Sequence, residues 1–123
     1  MRPALVISSD SFNRAGLDII LAGITSQISP ATPATDILLP AEDQNRAGLR
    51  KPSLVRLGKI VTLDQRLVRR KLGHIPDYTL AQLTSVLHKI LSPEPLNETH
   101  PSIHESRAVY RSDMPKKERR KKS

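Results

Sequence analysis

The chain contains no cysteine. That excludes a disulfide framework and a thiolate nucleophile, and it is compatible with a reducing, cytoplasmic setting. Tryptophan is also absent, and the aromatic side chains are Phe12, Tyr78 and Tyr110. So few rings argue against a sheet that reads single strands by stacking bases on aromatic platforms. Long apolar runs are missing: the longest fall well short of a bilayer span, and the opening residues do not read as a signal peptide. Acidic residues are outnumbered, 12 against 20 Lys and Arg, giving a net charge of +8. An excess of that size favours a polyanionic partner, nucleic acid above all. Contacts with such a partner would rest on Arg and Lys.

The length, 123 residues, fits one domain. Composition shifts near Ser92-Pro93. Residues 1–92 hold the aliphatic side chains, with 12 basic and 7 acidic groups. Residues 93–123 have few apolar groups and end in Lys116-Lys117-Glu118-Arg119-Arg120-Lys121-Lys122. Such a stretch buries too little surface to offset its ordering entropy, so it is expected to be a disordered basic tail.

Within 1–92 the short β-branched runs predict strands over 3–8, 18–24, 35–39, 53–57, 59–63 and 66–72. The run Asp18-Ile19-Ile20-Leu21-Ala22-Gly23-Ile24 is almost wholly apolar, as in a strand buried on both faces. Asn13-Arg14-Ala15-Gly16-Leu17 recurs as Asn45-Arg46-Ala47-Gly48-Leu49, which reads as two similar glycine turns. One helix is expected over 77–91. Leu80, Leu83, Leu87, Ile90 and Leu91 recur at helical spacing, Asp77 is placed to cap the first amides, and Pro93 blocks continuation. Short strands followed by one helix predict an α+β, mainly β fold, a small barrel.

Basic side chains cluster over 46–74, where nine Lys and Arg face a single carboxylate, Asp64. A solvated sheet face and an RNA-backbone track both fit this pattern. If 66–72 is a strand, Arg69, Arg70 and Lys71 alternate between its faces and cannot all meet one ligand. Neither His74, His88, His100 nor His104 stands in a firm metal-ligand pattern, and no Gly-rich phosphate loop or paired carboxylate stands out. No metal and no cofactor are expected.

The order and spacing of several landmarks resemble the MazF/PemK family of bacterial toxin endoribonucleases. These are Arg2-Pro3-Ala4-Leu5-Val6-Ile7-Ser8, Phe12-Asn13-Arg14, Ile24-Thr25-Ser26-Gln27, Gly48-Leu49-Arg50-Lys51-Pro52-Ser53, Ile60-Val61-Thr62-Leu63-Asp64 and Lys71-Leu72-Gly73, then the final helix. The resemblance implies an SH3-like barrel, a homodimer, a cognate antitoxin, and metal-independent cleavage of single-stranded RNA. The family's catalytic arginine and threonine fall on Arg2 and Thr25. Candidate RNA contacts are Arg14, Gln27, Arg50, Lys51, Arg56, Arg69 and Lys71. By themselves, an arginine at position 2 is ordinarily a solvated charge and a threonine after an apolar strand a turn residue.

The family's pattern also places a strand and a loop before the arginine, where this sequence has only Met1. The expectation is therefore a sheet lacking its first strand, with an open edge and Arg2 on a fraying end. A start-codon assignment, a fragment or a decayed gene copy would each give this pattern. The alternative function is then a non-catalytic protein that keeps a nucleic-acid-binding or antitoxin-binding surface.

Overall fold

The computed structural model describes residues 2–93, 108, 109 and 111. Contacts divide the chain into Met1–Ser92 and Pro93–Ser123, and among the described residues every helix and strand lies in the first unit. The tail expected over 93–123, with His100 and His104, lies almost wholly outside the described residues.

Four strands form one antiparallel sheet: β1 (Ala4–Val6), β2 (Asp18–Thr25), β3 (Asp36–Leu38) and β4 (Leu54–Asp64), in the order β1-β2-β4-β3. Among the described residues three helices accompany them: α1 (Asp10–Ala15), α2 (Ala41–Arg46) and α3 (Asp77–Leu91). The class is α+β and mainly β, as the pattern of short apolar runs predicts.

The apolar run in β2 is central because it is shielded on both sides. Ile19, Leu21, Ala22 and Ile24 are all buried, and β2 pairs with β1 on one side and β4 on the other. The runs 53–57 and 59–63 merge into the single strand β4. Between Ala22 and Gly23 their partner on β4 jumps from Ile60 to Arg56. The three intervening residues form an irregularity of the kind that bends a sheet. Leu57 among them is 1% exposed, and its amide bonds to the carbonyl of Thr35 at 3.0 Å.

The core joins Ala22, Ile24, Leu39, Val55, Leu57, Ile75 and Leu83, with Leu5, Ile37, Leu49, Leu80 and Val86 packed around it. Helix α3 enters through Leu80, Leu83 and Val86. Its apolar stripe outruns the core, so Ile90 and Leu91 lie exposed. Pro76 occupies the cap position, and Asp77 makes no capping bond but sits inside the first turn. There its charge still favours the helix dipole. The helix is anchored instead by Thr79, whose hydroxyl donates to the fully buried Asp43 of α2.

The two glycine "turns" are the ends of short helices. Ser9 caps α1 by accepting from the Phe12 amide at 3.2 Å. Gly16 after it is extended, whereas Gly48 after α2 has φ +75°, so the similar sequences end differently. The strand expected over 66–72 is absent. Asp64 accepts from the Arg66 amide at 2.9 Å, turning the chain into a 3-10 turn at Gln65–Leu67, and residues 68–76 follow without regular structure. A local Asx-type bond thus overrides the β propensity of the run.

Candidate functional site

Strand register brings the two family positions together. Ala4 pairs with Gly23, and the pairing continues past the strand end, where the Ile24 amide donates to the carbonyl of Pro3 at 3.2 Å. One further step puts Arg2 opposite Thr25. Pro3 and Ile24 form a hydrogen-bonded pair, so Arg2 and Thr25 occupy the narrower, non-bonded kind of position, where side chains come closest. Both lie on the same sheet face as Ala4 and Gly23.

Thr25 is oriented by its own turn. Its Oγ1 accepts from the Gln27 amide at 3.1 Å. That bond uses one of the oxygen's two lone pairs and fixes the hydroxyl's position, with its hydrogen available to donate.

A second wall faces this pair. Leu49, Arg50, Lys51 and Ser53 line the same cleft of about 410 Å³ as Arg2, Thr25, Ser26 and Gln27. That wall is fixed through its backbone. Gln44 bonds Leu49 twice: its carbonyl accepts the Leu49 amide at 3.0 Å, and its side-chain amide donates to the Leu49 carbonyl at 3.2 Å. Buried Ser53 donates to the carbonyl of Lys51 at 2.8 Å. Gly48 and Gly73 let two backbones touch: a Cβ on Gly48 would lie 2.3 Å from the Leu72 carbonyl oxygen, and one on Gly73 would lie 2.1 Å from that of Arg46. The His74 amide closes the contact by donating to Arg46 at 3.1 Å.

The cleft is cationic. Arg2, Arg50 and Lys51 line it, no carboxylate does, and none of the three has an ion-pair partner among the described residues. A planar guanidinium, a hydroxyl donor and two further cations suit a phosphate group. Among the described residues no group of three His, Asp or Glu side chains is arranged to hold a metal.

Five of the candidate residues therefore meet in one place: Arg2, Thr25, Gln27, Arg50 and Lys51. The other four do not line the cleft. Arg14 is exposed on α1. Arg56 is turned to Asp36 on the neighbouring strand, Nε to Oδ2 3.5 Å. Arg69 and Lys71 are exposed on the irregular segment after the 3-10 turn. Sequence reasoning missed Ser53 as a lining residue, although it sits inside the Gly48–Ser53 landmark. It also missed the role of Gly73, for which no local signal exists.

Residues 1–91 match the PemK-like, MazF-like toxins of type II toxin-antitoxin systems. The chain belongs to this family. Among its relatives, Endoribonuclease MazF of Staphylococcus saprophyticus is 26% identical over 87 residues, which span 71% of this chain and 70% of that protein. A MazE-MazF crystal structure from Deinococcus radiodurans aligns with TM-score 0.59 and 27% identity, over 73% of this chain and 84% of the other. The Mycobacterium tuberculosis toxin MazF-mt6 shares the fold, with TM-score 0.60 and 20% identity over 72% and 83% of the two chains. No described helix of this MazF/PemK-type chain is long and apolar enough to cross a membrane.

Proposed function

We propose that this family member is an endoribonuclease that cleaves single-stranded RNA without a metal. One observation carries the reading: Arg2 and Thr25 are opposed across β1 and β2 in a cleft lined by cations and by no carboxylate. The name of the staphylococcal relative points the same way.

The substrate supplies its own nucleophile. The 2′-hydroxyl gives up its proton to water as it attacks the adjacent phosphorus, the bond to the 5′-oxygen breaks, and that oxygen takes up a proton from water. The products are a 2′,3′-cyclic phosphate and a 5′-hydroxyl. Negative charge builds on the non-bridging oxygens as phosphorus becomes five-coordinate. Arg2 meets that charge with a fork of donors, and Thr25 adds one hydrogen bond from a fixed direction. A guanidinium carries a fixed positive charge and no acceptor, so Arg2 suits charge stabilisation and not proton removal. Arg50 and Lys51 on the facing wall hold the neighbouring phosphate, and Gln27 meets the strand at the rim.

The family and the Deinococcus MazE-MazF complex support an antitoxin partner for this chain. A homodimer is part of the same reading. Val6, Leu21 and Val61 align across three strands, and Val6 and Val61 are 39% and 47% exposed, an apolar surface that a second copy would cover. Cytoplasmic location follows from an mRNA substrate. The test compares cleavage of single-stranded RNA by the protein with cleavage by Arg2→Ala and Thr25→Ala. Undiminished cleavage by both variants would remove the cleft from the chemistry.

A further inference from the structure

We propose that Arg69, Arg70 and Lys71 form a second phosphate-binding surface, which carries the flank of a single-stranded RNA beyond the cleft. The inference rests on the RNA-cleaving reading of the cleft and adds where the rest of the strand goes.

Size is the first argument. A cleft of about 410 Å³ is in the range of a small-ligand pocket. It has room for the nucleotides at the scissile bond, so a longer strand must be neutralised outside it.

Position is the second. The segment that follows these cations is pressed against the base of the cleft wall. The Leu72 carbonyl lies against Gly48, Gly73 lies against Arg46 and Ala47, and the His74 amide bonds to Arg46. Gly48 is followed directly by Leu49, Arg50 and Lys51, the cleft wall itself. The charges at 69–71 therefore lie one short stretch of backbone away from a wall that already carries two cations.

Availability is the third. Arg46, Arg69, Arg70 and Lys71 are exposed, and none has an ion-pair partner among the described residues. Their neighbours differ. Arg66 is held by Asp64, with Nε to Oδ1 at 3.1 Å and a terminal nitrogen to Oδ2 at 2.8 Å, and that contact raises its pKa above the ordinary arginine value. Arg56 is held by Asp36. Residues 65–76 contain no Asp or Glu to compete with a phosphate. The segment is not a strand, so its three consecutive cations are free of the two-face alternation that a strand would impose. Val68 and Leu72, 48% and 43% exposed, flank them with apolar surface suited to sugars and bases.

The test uses the full chain and two uncleavable probes, fluorescein-labelled 2′-O-methyl RNAs of random sequence, one about as long as the cleft and one roughly three times longer. Affinity is read by anisotropy across a salt series. The protein is expected to bind the longer probe more tightly. The triple variant Arg69→Ala/Arg70→Ala/Lys71→Ala is expected to lose about tenfold on the longer probe near 0.1 M salt and to keep its affinity for the short one. Its salt slope on the longer probe should fall by roughly 2, about 0.7 for each lost phosphate contact. Replacing the three positions with Arg69→Lys/Arg70→Lys/Lys71→Arg keeps the charge and should restore the long-probe affinity, which separates charge from folding. Equal loss on both probes, or no loss on the longer one, overturns the proposal while leaving the cleft intact. The second outcome is the one expected if the segment serves a protein partner instead. Failure of the unaltered protein to bind either probe would overturn the cleft reading itself, and this proposal with it.

Discussion

Arg2 stands opposite Thr25 because β1 and β2 keep their register beyond the last strand pair. The bond from the Ile24 amide to the Pro3 carbonyl, 3.2 Å, is the link that holds it. Proline lacks the return donor, so this pair is joined by one bond instead of two. The backbone beside Arg2 is thus tied to the sheet at this pair by a single hydrogen bond, and Thr25 is held by its own turn.

The first prediction concerns the role of that turn. The Gln27 amide donates to Thr25 Oγ1 and holds the hydroxyl in place, leaving its hydrogen available to a ligand. Thr25→Ser keeps both bonds and should retain most of the RNA cleavage rate. Thr25→Val keeps shape without a donor and should lose about 100- to 1000-fold in kcat, as for a single preorganised donor. Single-turnover kinetics on an RNA oligonucleotide separate the two. A Val variant as fast as the Ser variant would leave Thr25 a purely local turn residue.

The second concerns the glycine contact. Gly73→Ala must push its Cβ into the Arg46 carbonyl, 2.1 Å away, so the two backbones have to part. A cost of about 1–3 kcal/mol is expected from overpacking of this kind. Arg50 and Lys51 would move with their loop, so KM should rise more than kcat falls. Thermal melting and steady-state cleavage check both. A variant with unchanged melting and unchanged KM would mean that the wall is positioned by something else.

The third concerns the buried carboxylate. Asp43 is fully buried, receives the Thr79 hydroxyl, and has the Tyr78 hydroxyl at 3.5 Å. Thr79→Val leaves that carboxylate short of a donor and should cost about 1–3 kcal/mol. The reading is a chemical denaturation midpoint. Loss of less than about 0.5 kcal/mol would show that α2 and α3 are not joined through this bond.

The fourth concerns residues 93–123. Deleting them should leave the melting temperature of the remaining chain nearly unchanged and weaken nonspecific RNA binding at low salt, since the stretch carries 8 basic and 5 acidic groups and few apolar ones. A large drop in melting temperature would place part of the core beyond Ser92.

What could be read from the sequence follows the range of the interactions involved. The run in β2 was legible because burial on both faces needs uninterrupted apolar residues. Helix α3 was legible because fifteen residues give its period time to repeat. Helices α1 and α2, six residues each, are too short for that, and their caps, Ser9 and Pro40, look like ordinary loop residues. Residues 66–72 misled because β-branched and long aliphatic side chains suggest a strand, while one Asp64 bond redirects the chain. At the site, Arg2 and Thr25 emerged through resemblance to a family and not from their own surroundings. The facing wall depends on Gly48 and Gly73, 25 positions apart, and no local pattern announces a contact at that distance.

The central claim is that Arg2 and Thr25 stabilise attack by the RNA's own 2′-hydroxyl. The most direct measurement incubates the protein, in excess EDTA, with a single-stranded RNA it cuts and with copies carrying one 2′-deoxy substitution at the cut site. The account predicts cleavage of the RNA to a 2′,3′-cyclic phosphate and a 5′-hydroxyl, and none at the substituted position. Cleavage at the deoxy site, or activity that returns only when a divalent metal is added, would contradict it.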